Sequence, residues 1–171
     1  MRYTFTLIII VFTVLGCNSD KAGRYPIKQA DWKSKQVNIE NYADYYKGKT
    51  YLPVYSHIYH IHGERTFDLT ITVSLRNISS RDSVFILKAD YFNTLGENVR
   101  QYIEKPIYLN PLETMEIVIK EQDIEGGSGA NFVFDWACKN GKNPPLFEAV
   151  MISTYGQQGI SFTTRGIQIT E

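Results

Sequence analysis

The chain has 171 residues with 18 basic and 18 acidic side chains, so its formal charge at neutral pH is zero. That balance argues against a nucleic-acid binder built on a basic face and against a polybasic membrane clamp. Two cysteines exclude a disulfide-dense scaffold, and a chain of this length with 43% apolar residues holds one packed core, hence one domain.

The N-terminus reads as an export signal. Arg2 supplies a positive start, Thr4 to Phe12 is uncharged and mostly apolar, and Gly16 places a small residue before Cys17. The stretch is too short to span a bilayer, which takes about 20 apolar residues. Val14-Leu15-Gly16-Cys17 resembles a bacterial lipobox. That resemblance implies that residues 1–16 are a lipoprotein signal peptide and that Cys17 becomes the acylated first residue of a protein tied to a membrane of the cell envelope. Each buried lipid methylene contributes about 0.8 kcal/mol, so two or more acyl chains hold where one exchanges. With Cys17 acylated, Cys138 has no cysteine partner and stability rests on packing.

Residues 17–50 are polar and without sustained apolar period, which predicts a lipidated tether with a short helix around Val37 to Tyr46. From 51 to 171 the pattern changes to period two. Phe67, Leu69, Ile71, Val73 and Leu75 alternate with polar residues, so one face of that strand is apolar. A turn over Asn77 to Asp82 separates it from Phe85, Leu87, Ala89 and Tyr91, and Asn93 to Asn98 reads as a hairpin tip. Tyr102 to Leu109 is broken by Pro106, as an edge or bulged strand would be. Met115, Ile117 and Ile119 begin another alternation, and Phe132, Phe134, Trp136 and Cys138 point three aromatics and a thiol to one side. Phe147 to Thr154 and Ile160 to Thr164 complete about eight short strands, with turn signals between them. This spacing predicts an all-β fold: an antiparallel β-sandwich of immunoglobulin-like type over 51–171.

All three histidines fall within His57 to His62, directly before Gly63 and Glu64. On a strand His60 and His62 share a face, an arrangement suited to two imidazole ligands of Zn or Cu, with Glu64 as a third donor and His57 pointing away. On a helix no two of them sit four apart. A structural zinc site takes four ligands and a catalytic one three plus water, so the ligand count favours ordinary imidazoles on a sheet and leaves metal as the alternative.

Gly126 to Phe132, GGSGANF, offers consecutive glycine amides but lacks the lysine, hydroxyl and following helix of a phosphate loop. Ser128 lacks the glycine two places on that a nucleophile elbow requires, which makes a hydrolase the third reading. Ser128 and Asn131 in this loop, with Gln157, Gln158 and Arg165 in the YGQQGISFTTRG stretch, are the candidate contacts for a partner carboxylate or sugar.

Four stretches together carry a family likeness: YLPVYSHIYH, LTITVSLRNIS, DIEGGSGANFVFDW and EAVMISTYGQQGISFTTRG. They resemble the bacterial family known as domain of unknown function 3124, small exported or lipid-anchored proteins, over about Tyr51 to Gly166. The resemblance covers Tyr55, Ser56, His57, Gly127, Ser128, Gly129, Asn131, Gln158, Gly159, Ser161 and Phe162. It implies no activity, cofactor or partner, and it leaves His60 and His62 free to vary. The expectation is therefore a lipid-anchored extracytoplasmic binding or assembly module without catalysis. It needs no cofactor, meets an unidentified protein or glycan, and binds no nucleic acid.

Overall fold

The structure, a computed structural model, describes residues 31–38, 44–154 and 159–170. Period-two segments become strands: β1 (Tyr46–Pro53), β2 (His57–His60), β3 (His62–Asp68), β4 (Thr70–Arg76), β5 (Val84–Phe92) and β6 (Asn98–Ile103). Then follow β7 (Ile107–Leu109), β8 (Thr114–Ile119), β9 (Asn131–Cys138), β10 (Leu146–Ser153), β11 (Ile160–Arg165) and β12 (Ile167–Ile169). All pairings between them are antiparallel.

They form two layers and a ribbon. The larger sheet runs β12-β1-β9-β5-β6, with β7 also on β5, and the smaller runs β11-β10-β4-β8. β2 and β3 pair only with each other. Between the layers, Ile71, Val73 and Leu75 of β4 meet Phe132, Phe134 and Trp136 of β9 in one buried cluster. The rings of Phe134 and Phe147 stack at 4.1 Å, joining β9 to β10 across the layers. The antiparallel sandwich is the expected fold.

Several boundaries differ from expectation. The anticipated Phe67 to Leu75 strand is cut at Leu69, whose amide donates to the Ser56 carbonyl at 2.9 Å, so Phe67 belongs to the ribbon. Pro106, without an amide proton, separates β6 from β7. The sheet also starts before residue 51, because β1 pairs with β9 from Tyr46↔Cys138 onward. Gly48 permits that pairing, since a Cβ there would run into the Trp136 ring. Of the helix expected around Val37 to Tyr46, Asp44 is in 3-10 conformation. Tyr46 is strand, and the Val37 amide donates to the Pro106 carbonyl at 2.9 Å, while 39–43 lie outside the described residues.

Residues 31–38 are fastened to the sandwich. Gln36 bridges Ile107 antiparallel, Tyr108 donates its amide to the Lys35 carbonyl at 3.1 Å, and Trp32 packs against the core. Lys35 Nζ lies 2.6 Å from a Glu113 carboxylate oxygen. The described chain thus enters beside the β7–β8 turn, at one end of the sandwich. The β2–β3 ribbon marks the opposite end, because Leu69 leads from it into the first residue of β4, whose last residue, Arg76, leads toward the entry end.

Candidate functional site

At the ribbon end the chain makes the least ordinary use of its backbone. β2 and β3 are joined through Ile61 alone, at φ 61 and 77% exposed. A β-branched residue in the left-handed region is an outlier, because its side chain crowds the backbone. Tyr59 beside it is 61% exposed. From His62 to Thr66 every residue of β3 is exposed, so neither face of the ribbon tip is covered.

The loop expected to bind ligand also supports the ribbon. Gly127–Gly129 forms a single 3-10 turn, with Gly127 at φ 77. The Thr94 hydroxyl donates to the Gly126 carbonyl at 3.1 Å and accepts the Gly129 amide at 2.9 Å. Gly127 accepts the Ser56 amide and Ala130 the Val54 amide, both at 2.9 Å. Beneath them Ser56 Oγ and the Tyr91 hydroxyl share a buried hydrogen bond of 3.0 Å. Burial pushes the Tyr91 pKa up, against the lowering effect of that bond. A Cβ on Gly126 would strike the Tyr91 hydroxyl, and one on Gly127 would strike Thr94. The glycines therefore serve close packing.

The segment leading into that turn is held by Arg100. Its guanidinium donates to Asp123 at 2.8 Å, to Glu125 at 2.9 Å and to the Tyr102 hydroxyl at 2.7 Å. The Asp123 hydrogen bond raises the Arg100 pKa further, so the cation is permanent. Burial raises the Tyr102 pKa, so its hydroxyl stays protonated at neutral pH despite the cation beside it.

The histidines do form strands, but not one strand. The turn falls at Ile61, so His60 and His62 are register partners across the ribbon instead of neighbours on one strand face. Pro53 and Gly63 were the visible breaks in the sequence, and the turn occurs at neither. The His60 ring lies 4.2 Å from that of Phe67, and His62 Nδ1 accepts the Glu64 amide at 3.3 Å. Among the described residues no three His, Cys, Asp or Glu side chains gather as a metal-binding group.

Ser128 is half-buried and, among the described residues, makes no side-chain hydrogen bond. Asn131 opens β9 and pairs with Pro53 and Phe92 at the same end. The Ser153↔Ile160 pair lies at this end too, while Cys17, Gln157 and Gln158 lie outside the described residues. Arg165 is not part of this end. It pairs with Glu148 toward the far end of β10 and borders a cleft of about 160 Å³ with Trp136, Phe147 and Pro144. A wider trough of about 610 Å³ crosses the outer face of the larger sheet. Two of its lysines face carboxylates, Lys49 near Asp135 and Lys88 on Asp90.

Sequence reasoning missed Ile61, Tyr91, Thr94 and Arg100. The last three act on residues 23 to 35 positions away, which no local pattern reports. Ile61 had no turn signal of its own.

The sequence model of a family described as "Protein of unknown function (DUF3124)" matches residues 47–169. No curated protein matches the chain. A solved structure titled "Crystal Structure of Thermotoga maritima 1070" aligns with 70% of this chain and 92% of its own, at 8% identity and a TM-score of 0.40.

Proposed function

The chain belongs to the DUF3124 family of proteins of unknown function, and on that premise we propose that it is a lipid-anchored, extracytoplasmic binding or assembly module that does no chemistry of its own. Its partner is a protein or glycan of the cell envelope, met at the ribbon end. The observation that carries this reading is Ile61: a β-branched side chain at φ 61 and 77% exposed costs stability and gains little packing among the described residues. Backbone strain of this kind, about 1–3 kcal/mol, persists where a function keeps it. The support beneath is rigid, as a contact surface requires if ordering is not to weaken binding. The envelope address rests on the leader and on Val14 to Cys17.

In-envelope photo-crosslinking tests the reading. A photoreactive residue in place of Tyr59 or Ile61 is expected to trap one discrete partner, whereas one at Val118, 57% exposed on the smaller sheet, is not. Ile61→Gly should abolish the adduct formed from position 59 without lowering stability. Equal adducts from ribbon and sheet would overturn the assignment.

The rival reading, a Zn or Cu site on His60, His62 and Glu64, has in its favour that the two histidines face each other across the ribbon turn. Stoichiometric metal in the purified protein, lost in His60→Ala and His62→Ala, would establish it in place of the interaction reading.

A further inference from the structure

A second strained, exposed apolar tip stands at the opposite end of the sandwich. Leu112, in the turn between β7 and β8, has φ 60 and is 68% exposed. Its amide donates to the Ser79 carbonyl at 3.0 Å, which places it beside the β4–β5 loop carrying Ile78, itself 46% exposed. Asn77 locks the two loops together, its side-chain amide donating to the carbonyls of Asp82, Leu109 and Asn110. The apolar tip is therefore held rigidly outward.

Cations stand at the same end of the sandwich. Lys33, Arg81, Lys142 and Arg165 are exposed and, among the described residues, have no side-chain ion-pair or hydrogen-bond partner. The carboxylates nearby are engaged: Glu113 by Lys35, Asp82 by Lys139, Glu148 by Arg76, and Asp31 by the Lys33 and Ser34 amides. Asp44 is the exposed exception. The ribbon end has the opposite sign, with Glu64, Asp68, Glu97 and Glu121 against Arg65 and Lys120. The described chain also begins, at Asp31, on the cationic end.

We propose that the entry end docks on an anionic lipid surface, with Leu112 and Ile78 entering the headgroup layer and Lys33, Arg81, Lys142 and Arg165 facing lipid phosphates. Apolar tips ringed by basic residues fit that interface, and the acidic ribbon end is turned away from it. The inference rests on the anchored reading above and adds which end meets the membrane.

The test uses the full chain reconstituted in phosphatidylcholine vesicles with and without phosphatidylglycerol, with bromine-labelled acyl chains as quencher. A fluorophore is placed at Pro111→Cys or at Leu95→Cys, the latter on the β5–β6 hairpin at the ribbon end and 81% exposed. Cys138, 3% exposed, does not take the label. Quenching at position 111 should exceed that at 95 several-fold with phosphatidylglycerol present, and the contrast should fall in Arg81→Glu/Lys142→Glu and at high salt. Equal quenching at both positions, stronger quenching at 95, or indifference to the charge reversal overturns the proposal. Protein that leaves the vesicles altogether, with an unmodified Cys17 by mass spectrometry, overturns the anchored reading itself.

Discussion

Gly126 shows how far a single position was legible. The run Gly126-Gly127-Ser128-Gly129 stood out as a loop, and its glycines invited a ligand reading. Their use became visible only with Tyr91 and Thr94, which the fold brings from another hairpin to occupy the missing side-chain volume. Adding one methyl at Gly126 overpacks a buried site, so Gly126→Ala should cost about 1–3 kcal/mol in urea unfolding. Gly63, with nothing within 4 Å of an added Cβ, should accept alanine with little change. A loss at Gly63 as large as at Gly126 would contradict the packing account. The histidines were legible as strand residues but not as partners, because a turn at a β-branched isoleucine has no sequence signal.

Among the elements, strands facing the core were readable and pieces added at edges were not. β8 and β10 alternate cleanly because one face of each is buried, and β4 and β9 alternate until three consecutive buried residues near their ends. The ribbon buries neither face at its tip, and β7 and β12 have three residues each, too few for a period. The segment Asp31 to Asn38 looked like tether because its attachment is through backbone bonds, one ion pair, Lys35 with Glu113, and the lone aromatic Trp32, which make no apolar period. Burial tends to raise the Glu113 pKa, but the Lys35 ammonium and Asn110 amide outweigh it, and the net shift is downward. A lowered folded pKa means that this contribution is complete above the ordinary glutamate range and fades as pH falls through the folded value. The partly exposed pair is worth about 1 kcal/mol or less. Acidification below the ordinary glutamate range should therefore loosen this segment before the sandwich unfolds, seen as a shift in Trp32 emission against unchanged far-UV circular dichroism. Glu113→Gln should show the loosened state at neutral pH and no further acid step. An unaltered acid profile in that variant would show that the pair does not hold the segment.

For the whole molecule, the sandwich followed from strand spacing, but the arrangement of its ends did not. Charge balance along the chain conceals an acidic ribbon end and a cationic entry end, because Arg81, Lys142 and Arg165 are far apart in sequence and gather only when loops meet. Arg165 was expected beside the Gln157 loop, and five residues of strand, about 17 Å at 3.3 Å per residue, carry it away from Ile160 toward the other end. On the proposed reading both ends owe their meaning to the anchor: one strained tip would turn to the membrane, the other to a partner. Mass spectrometry of the N-terminal peptide, taken from the protein in its own membrane, tests this most directly. The expected result is a peptide that begins at an acylated Cys17. A peptide that retains residues 1–16, or that begins at an unmodified residue, would contradict it.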